Sequence, residues 1–363
     1  MNVVEFAGKM IDLDTGEVVS NSVVTKGTPL IDTTANGKER PWNAKKLMSL
    51  ETSELMNEAS PALEHSLAKK AERMKTCADI LTFHKTDEGR LKLNQTYFCK
   101  VRLCPMCNWR RSLKMSAENA KVVEEANRQK KLRWLFLTLT VENCTGDKLN
   151  ETINAMSKAF KRMTDYKRVD DQVVGWFRAL EITKNNKKNT FHPHYHMLIC
   201  VEPRYFVEKG RYIKQKEWTS LWQQALNVDY TPVVHIEAVK ARKTKRTLSE
   251  VLTDVEAGIN EAHAMQKAVL EVSKYTVKDS DVLKGSRKQN LETIYWLDDA
   301  ITRKRLVAYG GLLKKIHKAL NLADDGEEEN LIHVDGDNHD EISAEIQKVT
   351  ARWSIGLNQY VLS

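Results

Sequence analysis

The 363-residue chain contains no run of eighteen or more apolar residues, and its N-terminus has no cationic stretch followed by an apolar one. The first absence argues against a membrane-spanning helix and the second against a secretory signal, so a cytoplasmic protein with no membrane partner is expected. Cysteine is scarce. Six residues are too few for a disulfide scaffold in a chain of this length, and in a reducing compartment they are expected as thiols or metal ligands. There is no G-x-x-x-x-G-K-[ST] loop to cradle nucleotide phosphates and no internal repeat, so neither a built-in motor nor a solenoid is expected.

Charge is present but unevenly placed. Net charge is +8, yet residues 321–363 hold ten Asp and Glu against two Lys and Arg, which leaves +16 on the first 320 residues. A basic body suits a polyanion such as DNA, while the acidic end either self-repels, limits non-specific DNA binding or engages a partner.

His192-Pro193-His194-Tyr195-His196 runs into the apolar Met197-Leu198-Ile199-Cys200-Val201. Strand alternation puts His192, His194 and His196 on one face, with Tyr195, Met197 and Ile199 on the other. The preceding stretch from Val173 to Thr183 also reads as a strand, joined by the polar loop 184–189. A turn centred near Lys187 and Lys188 places Glu181 opposite His194 on the same face. Two imidazoles and a carboxylate can hold a divalent cation with positions left open for substrate. Non-haem iron oxygenases use such a set too, but that reading leaves the basic body unexplained.

Downstream, Glu271, Tyr275 and Lys278 are spaced four and three apart at the end of a helical pattern that begins near Ser249. On a helix they would stack along one face, giving a phenol nucleophile with acid and base neighbours.

Cys104-Pro-Met-Cys107 forms a knuckle, with Cys99 five residues before it and Cys77 further upstream. Four thiolates would close a tetrahedral structural zinc site, His84 being an alternative to the distant Cys77. Lys100, Arg102, Trp109, Arg110 and Arg111 surround the knuckle and are candidates for DNA contact, the cations on phosphate and the indole on a base.

Together the His-hydrophobic-His strand and the YTVK helix resemble the two signatures of HUH endonucleases. More narrowly, RALEIT, HPHYHML, EVSKYTVKDSD, RWLFLTLTV and CKVRLCPMCNWRR resemble rolling-circle replication initiators of small Gram-positive plasmids, over roughly residues 70–310. The resemblance implies an α+β fold, an antiparallel central sheet of about five strands with helices packed on it and the tyrosine helix laid across its open face, beside a small Cys-rich zinc module. It also implies Mn²⁺ or Mg²⁺ on His194, His196 and Glu181, with His192 a further candidate ligand. Tyr275 is then the nucleophile, Glu271 the general base for a terminating hydrolysis, and Lys278 either a phenolate stabiliser or a support for the metal complex. Implied partners are origin DNA at a single-stranded or hairpin nick site, and a host helicase and polymerase; a homo-oligomer is compatible with the chain. The competing readings are a non-catalytic, zinc-stabilised DNA-binding regulator and a relaxase or transposase of the same superfamily.

The expected organisation is a variable extension over 1–60, the Cys-rich module over 61–115, the nuclease domain over 116–310 and an acidic segment over 311–363. Within it, residues 61–76, the stretch from Asp147 to Tyr166 and Lys216–Leu226 read as helices. Arg133–Val141 and the stretch from Pro232 to Val239 read as strands, the latter placing His235 and Glu237 on one face as salt-bridged sheet residues.

Overall fold

A computed structural model describes residues 3–6, 9–12, 18–21, 27–34, 37–60, 64–87, 89–239, 264–274, 276–322, 330–334 and 347–363. In chain order the elements are β1 (Val3–Phe6), β2 (Lys9–Asp12), β3 (Val18–Asn21), α1 (Trp42–Ala59), α2 (Glu64–Lys75), β4 (Ile80–Lys85), β5 (Leu91–Gln95), α3 (Pro105–Gln129) and β6 (Arg133–Thr140). Then follow α4 (Gly146–Asp165), α5 (Lys167–Asp170), β7 (Val173–Asn185), β8 (Thr190–Val201), α6 (Arg204–Val207), α7 (Gln215–Leu226) and β9 (Val234–Val239). The chain closes with α8 (Ala264–Val272), α9 (Asp279–Leu283), α10 (Arg287–Ile301), β10 (Val307–Gly310), α11 (Gly311–Ala319), β11 (Gln347–Ser354) and β12 (Gln359–Leu362). No helix among the described residues is long and apolar enough to cross a membrane.

The fold is α+β, built on an antiparallel five-stranded sheet in the order β10-β7-β8-β6-β9. The β7–β8 hairpin is its spine, and its register pairs Glu181 with His194, as the turn position predicts. Alternation divides the sheet cleanly. One face presents Leu180, Ile182, Tyr195, Met197 and Ile199 to Leu149, Ile153, Met156 and Phe160 of α4 and to Trp218 and Trp222 of α7. The opposite face is apolar over half its length, where Phe177, Ala179, Trp134, Phe136, Leu198 and Cys200 meet α3, α8 and α11. Beyond Ala179 the same face turns polar, and the candidate site lies there. Gly311 fixes one approach: its φ is +56°, and a Cβ there would meet the Val174 carbonyl at 2.3 Å, so α11 can dock on β7 only through glycine.

A second antiparallel sheet, β12-β11-β4-β5, carries the Cys-rich region. The expected acidic segment after 310 is distributed between the two sheets: β10 and α11 flank β7, while β11 pairs with β4. Its acidic residues, in 323–329 and 335–346, lie outside the described residues.

Residues 1–60 differ from a variable extension, because α1 is an eighteen-residue helix packed into the molecule. Its buried face includes Lys46, Ser49, Thr52 and Ser53 beside Trp42, Leu55 and Met56. Polar residues at core positions blur the 3.6-residue apolar period, which hides the helix from pattern reading. The fully buried Lys46 ammonium donates to the carbonyls of Lys75 (2.8 Å) and Cys77 (2.9 Å) and to Asp79 Oδ1 (2.6 Å), capping the end of α2. One continuous apolar core runs from Trp42 and Phe83 through Met106 to Tyr195 and Trp222, so the Cys-rich region and the five-stranded sheet share an interior.

Candidate active site and metal centres

At the polar end of the sheet, Glu181, His194 and His196 offer ligand atoms that all lie within 4.8 Å of one another. Glu181 Oε2 is 3.0 Å from His196 Nε2 and 3.6 Å from His194 Nε2, and the two Nε2 atoms are 3.2 Å apart. Donors about 2.1 Å from a common ion and at right angles would stand roughly 3 Å apart, so the set fits a divalent cation. The tautomer fits as well. His194 Nδ1 lies 3.1 Å from the His192 carbonyl, which can only accept, so neutral His194 carries its proton on Nδ1 and keeps a lone pair on Nε2. His196 Nδ1 is held by Thr138 Oγ1 at 3.2 Å. His192 shares the face, its ring 5.4 Å from that of His194, but stands outside this three-residue group.

The carboxylate is strongly ionised. Burial pushes the pKa of Glu181 up, but the polar side chains of His194, His196 and Lys278 beside it outweigh burial and hold the group well below the usual carboxylate range. Lys278 Nζ stands 2.7 Å from Glu181 Oε1, and this contact raises the lysine in turn.

Lys278 does not reach the site from a helix shared with Glu271. The expected single helical face ends early: α8 stops at Val272, Ser273 Oγ turns back onto the Val269 carbonyl (2.6 Å), and Lys278 is the N-cap residue of α9. The β-branched Thr276 and Val277 follow the helix end and are buried, with the Thr276 carbonyl accepting from Ile182 N–H at 2.7 Å, one residue from Glu181. Tyr275 itself lies outside the described residues, as does the stretch 249–263 of the expected helix. Glu271 is placed at the rim, with Oε1 4.0 Å from His196 Nε2 and an ion pair to Lys274.

The second cluster joins Cys77, Cys99, Cys104 and Cys107, all buried, with sulfur atoms that also lie within 4.8 Å of one another. Sγ separations of 3.6 Å (77 to 107 and 99 to 107) and 3.8 Å (77 to 104) match the roughly 3.8 Å edge of a tetrahedron with 2.3 Å metal–sulfur bonds. Backbone N–H groups point at the sulfurs, Cys99 N at Cys77 Sγ (3.4 Å) and Lys100 N at Cys107 Sγ (3.3 Å), the latter turned by a left-handed φ of +58°. Burial pushes the Cys107 thiol up, so four thiolates here require a compensating cation. Cys77 completes the tetrad without His84. Cys200 is a core thiol that burial pushes up to about 12.

Three of the cations beside the knuckle, Arg102, Arg110 and Arg111, donate to carbonyls of the protein itself. Buried Arg110 donates to the Leu331 and Ile332 carbonyls at 2.9 and 2.7 Å and stacks over Trp42 and Trp109, and Trp109 packs edge-on against Trp42. Arg111 donates to the carbonyls of Lys100 and Val101, and Arg102 to those of Ile301 and Lys304. Lys100, half-buried, contributes its N–H to the tetrad. A cation next to a structural knuckle faces many unpaired carbonyls, and composition alone cannot show that they claim it. His235 and Glu237 are exposed on β9, 3.9 Å apart. Thr138 belongs to the site through His196 without standing out in the sequence, its signal being that threonines at alternate positions of an apolar strand mark a polar face.

The family model described as replication protein matches residues 90–361. The chain belongs to the replication-protein family. It is 47% identical to "Protein rep" of Bacillus amyloliquefaciens over 341 residues, 92% of this chain and 97% of that one. It is 39% identical to "Protein rep" of Lentilactobacillus hilgardii over 92% of this chain and 98% of the relative, and 38% identical to "Protein rep" of Lactiplantibacillus plantarum over 91% and 98%. No solved structure matches. Membership of the replication-protein family supports initiation of plasmid replication as the role of the chain.

Proposed function

We propose that the chain is a rolling-circle initiator that binds the double-strand origin in the cytoplasm and nicks one DNA strand by tyrosyl transesterification. The observation that carries this is the convergence of Glu181, His194 and His196 on one open sheet face, with Lys278 and Glu271 at its rim. The donor set would hold Mn²⁺ or Mg²⁺, which when bound neutralises and orients the scissile phosphate. Tyr275, between Lys274 and Thr276, attacks phosphorus: the phenolic O–P bond forms, the bond to the 3′ oxygen breaks, and the phenol's proton ends on that oxygen. The products are a 5′-phosphotyrosine and a free 3′-hydroxyl primer for a host polymerase, with a host helicase opening the duplex. One phosphodiester replaces another, so the reverse step rejoins the strand without ATP. Lys278 holds Glu181 in the orientation the site needs. For the second cut, Glu271 takes a proton from water, whose oxygen bonds to phosphorus at the regenerated nick site as the bond to the 3′ oxygen breaks; the 3′-hydroxyl so formed then attacks the phosphotyrosine, closing the displaced circle and releasing Tyr275 with the proton. The Cys tetrad would hold a structural Zn²⁺.

The test uses a single-stranded oligonucleotide carrying the cognate nick site, labelled at either end, with Mn²⁺ and denaturing gels. The 3′-labelled product should migrate with protein and vanish in Tyr275→Phe. Binding to a verified site without cleavage would overturn the proposal in favour of a regulator.

A further inference from the structure

Three segments that contribute nothing to the Glu181, His194 and His196 group converge just before Tyr275. Asn119 of α3, 2% exposed, donates from Nδ2 to Ser273 Oγ at 2.9 Å and accepts from the Tyr309 hydroxyl at 2.9 Å. The polarity of this chain is fixed by its last member. Ser273 Oγ must donate to the Val269 carbonyl, which can only accept, so its oxygen is left to receive the Asn119 amide, and the Asn119 oxygen is left for the phenol of Tyr309. Tyr309 is in turn set by Phe177 and His317, whose rings lie 4.8 and 4.2 Å away. Buried polar groups of this kind are costly unless every member is satisfied.

The location gives the network its meaning. Ser273 is the first residue past α8 and stands two positions from both Glu271 and Tyr275. On the other side of Tyr275, the Thr276 carbonyl is tied to Ile182 of β7. The described residues Ser273 and Thr276, before and after Tyr275 in the sequence, are thereby tied to two anchors, one on the α3–β10 layer and one beside Glu181.

We infer that Asn119 is a positioning residue for the transesterification, acting with Tyr309 through Ser273 to place the Tyr275 segment against the Glu181, His194 and His196 cluster. This rests on the reading of Tyr275 as nucleophile. In-line attack is sensitive to displacements of about 1 Å, so loss of the anchor should lower single-turnover nicking by roughly ten- to a hundredfold. Affinity for origin DNA should be unchanged, since Asn119 and Ser273 are buried and the hydroxyl of partly buried Tyr309 is engaged by Asn119.

The experiment measures single-turnover nicking and oligonucleotide affinity for the full chain, Asn119→Leu, Ser273→Ala, the double variant, Tyr309→Phe and Tyr275→Phe. Asn119→Leu and Ser273→Ala should each slow nicking with unaltered affinity, and the double should be no slower than the worse single, because both remove the same Asn119–Ser273 hydrogen bond. Tyr309→Phe keeps the ring packing and provides the test if Asn119→Leu does not fold; it should slow nicking in the same sense. Rates of Asn119→Leu and Tyr309→Phe within twofold of the parent, while Tyr275→Phe is dead, would overturn the positioning role alone. Persistent nicking by Tyr275→Phe would instead overturn the reading of the nucleophile.

Discussion

At the scale of single residues, Lys278 and Glu181 form the most informative pair in the site. The ammonium occupies Glu181 Oε1 and places a positive charge beside the atoms that would receive a cation. Lys278→Met should therefore act in opposite directions on two quantities: the half-saturating Mn²⁺ concentration falls, because a competing cation is gone, while the saturated nicking rate drops by about tenfold as Glu181 loses its orientation. A metal titration of nicking separates them, and an unchanged Mn²⁺ requirement would dismiss the competition. Glu271 makes a different prediction. Its carboxylate is 4.0 Å from His196 Nε2 and outside the three-ligand group, so Glu271→Gln should leave the first cut near normal and impair termination, seen as multimeric displaced strands. Normal release of unit-length circles would remove Glu271 from the general-base role.

At the scale of elements, α1 shows what polar packing can hide. Replacing Lys46 by Met leaves the Lys75 and Cys77 carbonyls without their buried donor, at about 1–3 kcal/mol each, while half-exposed Asp79 stays hydrated. Urea unfolding of Lys46→Met should show a loss of about 3 kcal/mol with nicking intact at temperatures well below the transition; a loss under 1 kcal/mol would mean that water reaches those carbonyls. The elements that were legible from the residues are those whose apolar period is strong: α4 with Leu149, Ile153, Met156 and Phe160, and the β7–β8 hairpin, whose symmetric turn fixed the Glu181–His194 pairing. Helix α1 was not legible because lysine, serine and threonine occupy its inner face. The continuation of α8 to Lys278 was misread for another reason. Spacings of three and four continue formally past Val272, whereas in the fold Ile182 bonds the Thr276 carbonyl and Asn119 bonds Ser273, contacts the local sequence does not show. Likewise, the tetrad is visible as a spacing of cysteines, but the carbonyls that receive Arg102 and Arg110 come from chain segments about two hundred residues away.

At the scale of the whole molecule, the two candidate metal centres should respond differently to loss of an ion. The Cys tetrad joins the end of α2, the loop before α3 and the first turn of α3, with Ser49 of α1 bonded to Met106 N–H at 3.1 Å beside it. Helix α3 then runs on to cover the five-stranded sheet with Ala120, Val123 and Ala126. Structural zinc sites contribute on the order of 10–16 kcal/mol, comparable to the entire stability of an ordinary domain at about 5–15 kcal/mol. Because one core is shared, loss of that ion should destabilise the sheet as well as the tetrad. Stripping it with a mercurial thiol reagent and a chelator should release one zinc per chain and lower a single unfolding midpoint by more than about 10 °C. Mild chelation of the ion on Glu181, His194 and His196 should instead abolish nicking, reversibly with Mn²⁺, and shift the midpoint only slightly, since an ion at a hundred times its dissociation constant adds about 2.7 kcal/mol. Two resolved transitions after mercurial treatment, with the nuclease one unmoved, would show that the tetrad stabilises a separable module and that the continuous core does not couple them.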